Sequence, residues 1–386
     1  MAGAVAVAGA AAVVVAGVET VATCDPSCSV CTAEDVQAGE TPLAQPRTTC
    51  RAFHARDIFY LQLHITRRCN LHCKHCYIEG SKDSAPSPAP ELQPAEVLDI
   101  IRQFDGFVRY IGFRGKIYFT GGEPLLDGRL PGYIAEASRR SIIPMILSNG
   151  TLIDRVKARE LRAAGARIVQ VSLDGMEETH EYIRGKGTFK LATRALDECH
   201  DAGLATIAMV TVSKLNAREV PRIMEHCLDH HVTSFAIGRL VPEGTGTQLW
   251  NQVLAPRELK ATFKAIAGMR KACAGRMEIG IHDPLWLGYI GAKGARGCCV
   301  GKAGLCIVEN GDIMPCRRLD LAIGNIRNAS IMDSWFSRAM NAYRAGGRFH
   351  GKCGKCKRNA TCGGCRAVAR AVTGDPFGSD PQCFRR

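Results

Sequence analysis

Short apolar runs alternate with longer amphipathic stretches through most of this chain. IFYLQLHIT (58–66) is the first run, and its length and β-branched content predict a strand. A polar, Pro-rich loop, SKDSAPSPAPELQP (81–94), leads into PAEVLDIIRQF (94–104), whose apolar spacing predicts a helix. Strand and helix signals then alternate. The strands are KIYFT (116–120), IIPMILS (142–148), RIVQVSL (167–173), ATIAMVTV (205–212) and VTSFAIGRL (232–240). The helices are PGYIAEASRR (131–140), DRVKARELRAAG (154–165), FKLATRALDECHDAG (189–203), REVPRIMEHCLDHH (218–231) and PRELKATFKAIAGMRKAC (256–273). Six β/α units with near-continuous apolar strands predict a parallel sheet with helices outside, curled into a full or partial barrel. In such a fold the loops after the strands form the functional rim.

The ends of the chain differ from this middle. Residues 1–55 lack sustained periodicity, and MAGAVAVAGAAAVVVAGVETVA has the apolar character of a signal peptide without a basic residue near its start. The expectation is a low-complexity, disordered extension, a cytoplasmic protein and no membrane span. From about position 297 cysteines become dense, with a hairpin signal at Glu309-Asn310-Gly311-Asp312 and a helix-like stretch near 331–344. Three segments follow: an extension over 1–55, an α/β barrel over 56–285 and a small cysteine-rich domain over 286–386.

The net charge is +13, but Lys and Arg are scattered rather than interleaved with aromatics, so nucleic acid is not the expected partner. The 19 cysteines change the picture more. Seven lie before position 77, three in the middle and nine after 297, several as CxxC pairs. Clustered thiols in a long chain point to metal rather than to a disulfide scaffold.

Two stretches share the spacing Cys-x3-Cys-x2-Cys: Cys24, Cys28 and Cys31, and then CNLHCKHCY with Cys69, Cys73, Cys76 and Tyr77. The second directly follows a predicted strand, which puts its thiols on the rim. Three thiolates suit a four-iron cluster with one iron left open. On spacing alone zinc serves equally, with His72 or His75 as a fourth ligand. The downstream strands decide between them. One ends in TGGEP (120–124), whose paired glycines let a ligand approach the backbone and whose Glu123 can pair with an ammonium. The next ends in SNGT (148–151), and the next runs into VSLDG (171–175) followed by HEYIRGKGTF (180–189), where Arg184 can fork onto a carboxylate.

Together CNLHCKHCY, GGEP, SNGT, SLDG and the Arg184 segment resemble the radical S-adenosylmethionine (radical SAM) superfamily over roughly residues 58–280. The resemblance implies a partial (β/α)6 barrel in which Cys69, Cys73 and Cys76 hold a [4Fe-4S] cluster whose open iron binds SAM. It implies Tyr77 beside the adenine, and Gly121, Gly122 and Glu123 at the SAM amino group. Ser148, Asn149 and Ser172 fall on the ribose side, Arg184 at the SAM carboxylate and Leu240 at the adenine. Reductive cleavage of SAM would supply a 5′-deoxyadenosyl radical that takes hydrogen from a substrate.

The C-terminal cysteines extend the resemblance to a SPASM domain with two auxiliary [4Fe-4S] clusters. Its pattern gives Cys353, Cys356, Cys362 and Cys383 to one. Cys298, Cys316 and Cys365 go to the other, with Cys299 or Cys306 as the fourth ligand. Two residues separate Cys362 from Cys365 where the family has three. The tail CGGCRA resembles members that act on haem precursors. The N-terminal Cys24, Cys28 and Cys31 have no preceding strand and no such partners. Cys50 is the available fourth ligand should they bind metal. Cys199, Cys227 and Cys273 sit on helical patterns as core residues, and Asp174 and His180 are expected in structural roles, with a general base as the alternative.

The resemblance leads first to maturation of a ribosomally made peptide or protein. Modification of a tetrapyrrole (haem precursor) side chain is the alternative, and a non-catalytic iron–sulfur or zinc protein the third class. The implied partners are a peptide or small-molecule substrate and an electron donor such as flavodoxin or ferredoxin, with no nucleic acid and no membrane.

Overall fold

A computed structural model describes residues 58–78, 89–281, 283–291, 297–344 and 349–385. The N-terminal extension, with Cys24, Cys28, Cys31 and Cys50, lies outside the described residues. Ile58–Arg386 is one compact unit.

Six parallel strands run through the expected segments: β1 (Ile58–Thr66), β2 (Arg114–Gly121), β3 (Ile143–Ser148), β4 (Ile168–Ser172), β5 (Ala205–Val212) and β6 (Ser234–Arg239). Short strands extend the sheet on both sides. β7 (Glu278–Ile279) pairs with β6, and β8 (Gly304–Ile307) pairs parallel to β1. β9 (Asp312–Met314) and β10 (Gly324–Asn325) continue antiparallel beyond β8. The order is β10-β9-β8-β1-β2-β3-β4-β5-β6-β7, so β7 and β10 are edges and the barrel is partial. The cysteine-rich segment thus shares the barrel's own sheet, a continuity that apolar periodicity does not reveal because β8 has only four residues.

Strand alternation divides the side chains cleanly. Phe59, Leu61, Leu63 and Ile65 of β1, Val169 and Val171 of β4, and Ala208, Val210 and Val212 of β5 join the core beneath the helices. Their neighbours Gln170, Ser172, Met209 and Thr211 line the barrel interior. In β8, Leu305 and Ile307 enter the core, so Cys306 faces the opposite side, as do Tyr60, Gln62 and His64 of β1.

Helix α1 (Pro94–Tyr110) runs one turn and a half beyond its expected end and buries Val97, Ile100, Ile101, Phe104, Phe107 and Val108 on one stripe. Its start is closed by Glu96, which accepts from the Gln93 N–H at 2.7 Å. The C-terminal segment docks on this helix: the Trp335 ring meets Phe59 at 4.8 Å and Phe107 at 5.9 Å, and Arg327 Nε donates to Glu96 at 2.6 Å. The helix-like stretch near 331–344 is two helices, Ile331–Phe336 and Arg338–Arg344, broken at Ser337. Among the described residues no helix is long and apolar enough to cross a membrane.

Candidate active site

The first site begins where β1 ends. Cys69, Cys73 and Cys76 lie in the loop after it and line one cavity of about 170 Å³ inside the barrel mouth. Tyr77, Gly121, Gly122, Ser148, Asn149, Ser172 and Arg184, all picked out from the sequence, line the same cavity. Glu123 and Leu240 do not: Glu123 is fully buried behind the wall, and Leu240 is 2% exposed between the lining residues Arg239 and Val241.

Contacts explain why these segments share one rim. The Gly122 N–H donates to the Thr66 carbonyl at 2.9 Å, and the Glu123 N–H to the Arg68 carbonyl at 2.8 Å. A Cβ at Gly121 would fall 2.1 Å from the Thr66 oxygen, and one at Gly122 would fall 2.2 Å from the Arg68 oxygen. The paired glycines are therefore required by the backbone of the cysteine loop itself, in addition to any ligand.

Glu123 organises the next loop. Its carboxylate accepts from Ser148 Oγ at 2.9 Å, Asn149 N–H at 2.8 Å and Leu125 N–H at 3.2 Å. Burial outweighs these donors and pushes its carboxyl up to about 7. Asn149 in turn donates Nδ2 to Asn70 Oδ1 at 2.9 Å, and Asn70 donates to Thr151 Oγ1 at 2.9 Å. Ser148 and Asn149, read from sequence as ribose contacts, are thus tied to Glu123 and to the cysteine loop.

Helix α2 (Leu130–Arg139) follows β2 and α3 (Arg155–Ala163) follows β3. Helix α4 (Glu177–Arg184), absent from the periodicity reading, carries Arg184. Arg184 Nε donates to the fully buried Asp174 at 2.6 Å, and its Nη1 lies 3.8 Å from Cys73 Sγ. Asp174 also takes the His75 ring at 2.7 Å and the Thr211 N–H at 2.6 Å. Although burial opposes ionisation, Arg184 and His75 hold the Asp174 carboxyl well below the usual carboxylate range. His180, also buried, accepts the Asp174 N–H through Nδ1 at 3.2 Å, and burial lowers it to about 3, so it stays neutral.

Sequence reasoning missed two supports. The stretch Gly244-Thr245-Gly246-Thr247 after β6 clamps the cysteine loop. Thr245 Oγ1 donates to the Cys73 and Cys76 carbonyls (3.2 and 3.1 Å), and the Gly246 N–H reaches the Cys76 carbonyl at 3.1 Å. The repeated Gly-Thr at the end of a barrel strand was the available signal. The other is Arg239, 1% exposed, which binds Asp283 at 2.6 Å, Asp380 at 2.8 Å and Gln382 at 2.9 Å. It fastens β6 to the C-terminal tail.

The C-terminal thiols fall into two neighbourhoods. Cys383 shares its electrostatic surroundings with Cys353 and Cys356, and Cys362 with Cys383. Cys299 lies within hydrogen-bonding reach of both Cys298 and Cys316, and of the Tyr60 hydroxyl. The short gap after Cys362 is taken by two left-handed glycines, Gly363 (φ +68°) and Gly364 (φ +62°). They turn Cys365 away from its run, so that its N–H caps onto Asp380 at 2.8 Å and its thiol feels Arg318, Arg239 and Cys298. Cys306, fully buried in β8, lies among Cys316, Arg317 and Tyr77.

Among the described residues no three His, Cys, Asp or Glu groups converge closely enough to hold a single metal ion. Thiols that ligate separate irons of one cluster are spread more widely than ligands of one ion. The donor set at the barrel mouth fits such a cluster. Three thiols face one cavity, and the Arg184 guanidinium sits beside Cys73, where its charge favours a thiolate.

Comparison with known proteins agrees with this arrangement. Residues 63–227 match the Radical SAM superfamily, and residues 298–366 match SPASM, an iron–sulfur cluster-binding domain. The AdoMet-dependent heme synthase of Nitratidesulfovibrio vulgaris is 28% identical over 83% of this chain and 90% of its own length. The PqqA peptide cyclase of Granulibacter bethesdensis is also 28% identical, over 83% of this chain and 85% of its own. In shape the chain is similar to Streptococcus suis SuiB bound to S-adenosylmethionine, with a TM-score of 0.67 and 16% identity over 86% of this chain and 78% of that one. The chain thus carries a radical SAM domain followed by a SPASM domain, and it is an iron–sulfur, S-adenosylmethionine-dependent enzyme.

Proposed function

We propose that this enzyme modifies the carboxylate-bearing side chain of a tetrapyrrole of the haem-precursor class. The observation that carries the reading is the cavity itself. It opens onto the three rim thiols, and among the described residues its wall holds five arginines but no aspartate or glutamate. The similarity to a heme synthase along nearly its whole length supports the same substrate class. Maturation of a peptide is the second reading, favoured by the similarity to a PqqA peptide cyclase.

In this reading Cys69, Cys73 and Cys76 hold the SAM-binding [4Fe-4S] cluster. When bound, cluster and SAM supply a 5′-deoxyadenosyl radical for hydrogen abstraction, with an electron from a flavodoxin- or ferredoxin-like donor. The protein's own part is orientation and shielding. Gly121 and Gly122 would offer backbone to the SAM amino group, Tyr77 and Val241 would flank the adenine, and Ser172 would serve the ribose. Glu123, Ser148 and Asn149 act by fixing the loops, and Asp174 holds Arg184 beside Cys73. Cys353, Cys356, Cys362 and Cys383 form one auxiliary set. Cys298, Cys316 and Cys365 form the other, with Cys299 the fourth ligand by its reach to both Cys298 and Cys316.

The test is SAM turnover under anaerobic conditions with dithionite. An iron-coproporphyrin III substrate should raise 5′-deoxyadenosine release and lose mass from its side chains. Replacing Cys69, Cys73 and Cys76 with Ala should abolish release. A porphyrin that is left unchanged while a peptide is modified would replace the first reading with the second.

A further inference from the structure

Three of the five cavity arginines have their charge answered by protein. Arg184 is bound to Asp174, and Arg239 to Asp283 and Asp380. Arg67 faces Glu309 at 3.8 Å. Arg317 and Arg318 differ. Among the described residues neither has a carboxylate within ion-pair distance. Arg318 Nη1 donates to the Arg239 carbonyl at 3.2 Å, and Arg317 Cζ stands 6.0 Å from the Tyr77 ring. Both side chains are half-buried and line the cavity. The Arg317 charge is felt by His64, Tyr118 and Cys306 on three neighbouring strands, so it projects among the inward side chains of the barrel. His64 is 1% exposed, and among the described residues its Nε2 has no hydrogen-bond partner.

Partly burying two guanidiniums costs hydration, and among the described residues no carboxylate stands within ion-pair distance to answer it, although Arg318 feels Cys365, Cys316 and Asp283. A planar anion accepting their parallel N–H groups would relieve that cost, and a carboxylate fits the guanidinium fork. Two other uses of these arginines are open to the same chemistry. They follow Cys316 directly and could balance its thiolate, or they could receive the carboxylate of SAM. Against the first, Arg317 faces the barrel and Tyr77 as well as Cys316. Against the second, SAM anchors at the rim thiols, and the arginines enter from the C-terminal segment beyond β9.

We propose that Arg317 and Arg318 are the substrate anchor of the barrel, binding a carboxylate of the molecule whose hydrogen is removed. This rests on the radical SAM reading of the cavity and deepens it by assigning substrate recognition to two residues of the SPASM segment.

The test is anaerobic binding to the reconstituted full chain, with iron-coproporphyrin III and its tetramethyl ester as probes, and a Glu-rich peptide with its Gln counterpart as a second pair. The acid should bind the wild type more tightly than its neutral partner. Arg317→Gln and Arg318→Gln should weaken the acid about 10- to 100-fold and close the gap to the neutral partner, as loss of a charge-assisted contact predicts. Arg317→Lys should restore part of the preference. Iron content, the electron paramagnetic resonance spectrum of the reduced clusters and SAM affinity should be unchanged. If both porphyrins bind poorly but the peptide acid shows the preference, the tetrapyrrole reading fails and the anchor stands. The anchor is overturned if the substitutions weaken SAM, if they alter the cluster spectrum while the acid preference persists, or if the wild type prefers neither acid.

Discussion

Arg184 stands between a buried carboxylate and a rim thiol: its Nε donates to Asp174 at 2.6 Å, and its Nη1 lies 3.8 Å from Cys73 Sγ. The same carboxylate holds His75, two residues from Cys73, at 2.7 Å. One buried anion thus fixes two points of the cysteine loop and sets a positive charge where thiolates must form. Asp174→Asn keeps the shape but leaves Arg184 without its counter-charge. We expect a loss of roughly 3 kcal/mol in denaturant unfolding, the usual consequence of stripping one partner from a buried pair. Bound iron per chain should fall with it. Wild-type stability in this variant would refute the hub.

The close approach of GGE to the cysteine loop gives a second test. Gly122→Ala puts a Cβ 2.2 Å from the Arg68 oxygen and 2.5 Å from the Arg67 oxygen, both backbone atoms. The loops must part, at a cost of about 1–3 kcal/mol. SAM affinity should drop as the rim opens. Gly132→Ala, at an exposed position of α2 where a Cβ would meet nothing within 4 Å, is the control. It should raise stability by about 0.5–1 kcal/mol through better helix propensity. Equal effects of the two substitutions would contradict the steric account.

The six strands and the rim were legible because each strand is a short apolar run, and β2 to β5 change at their ends to Gly, Ser, Asn or Asp. That change is the mark of a backbone leaving the sheet for a functional loop. Arg184 was legible as a cation in the right loop, but its partner was not. Only burial shows that Asp174 answers it, and periodicity carries no information on pairing. Glu123, Ser148 and Asn149 were read as ligand contacts because polar residues at strand ends suggest one; the bonds that tie them to one another and to Asn70, Leu125 and Thr151 leave no trace in the sequence pattern. Arg239 was passed over for Leu240, since a strand-end arginine reads as solvated until its carboxylates, 44 and 141 residues away, are known. The pairing of β8 with β1 escaped for the same reason: four residues carry too little pattern to declare a long-range partner.

The clamp by Thr245 makes a milder prediction. Thr245→Val preserves shape and removes the hydroxyl that bridges the Cys73 and Cys76 carbonyls. Loss of one such hydrogen-bonding group should cost about 1 kcal/mol. The larger effect should be kinetic, with iron leaving the reconstituted protein to a chelator faster than from wild type. Thr247→Val, whose hydroxyl donates locally to the Gly244 carbonyl at 2.9 Å, should leave that rate unchanged. Equal rates for all three proteins would show that the clamp does not hold the loop.

Inside the barrel, Lys116 of β2 sits opposite Tyr60 in the strand register, with its ammonium 5.2 Å from the Tyr118 ring. Burial lowers it from 10.5 to about 8. The two facing phenols are pushed up by their own burial, so they stay neutral over this range and offer no counter-charge. Because the charged form is disfavoured in the fold, the penalty is complete below about pH 8, where folded and unfolded chains both carry the proton. Between about pH 8 and 10.5 the unfolded chain binds more protons than the folded one, so this residue makes stability rise with pH. Lys116→Met removes the titration and keeps the stem's packing. Relative to wild type it should be more stable at pH 7, by roughly 1–3 kcal/mol after allowance for partial exposure. The two unfolding curves should converge as the pH approaches 10.5. A constant difference across pH 7–10 in matched denaturant titrations would mean that packing, not a desolvated ammonium, separates the two proteins.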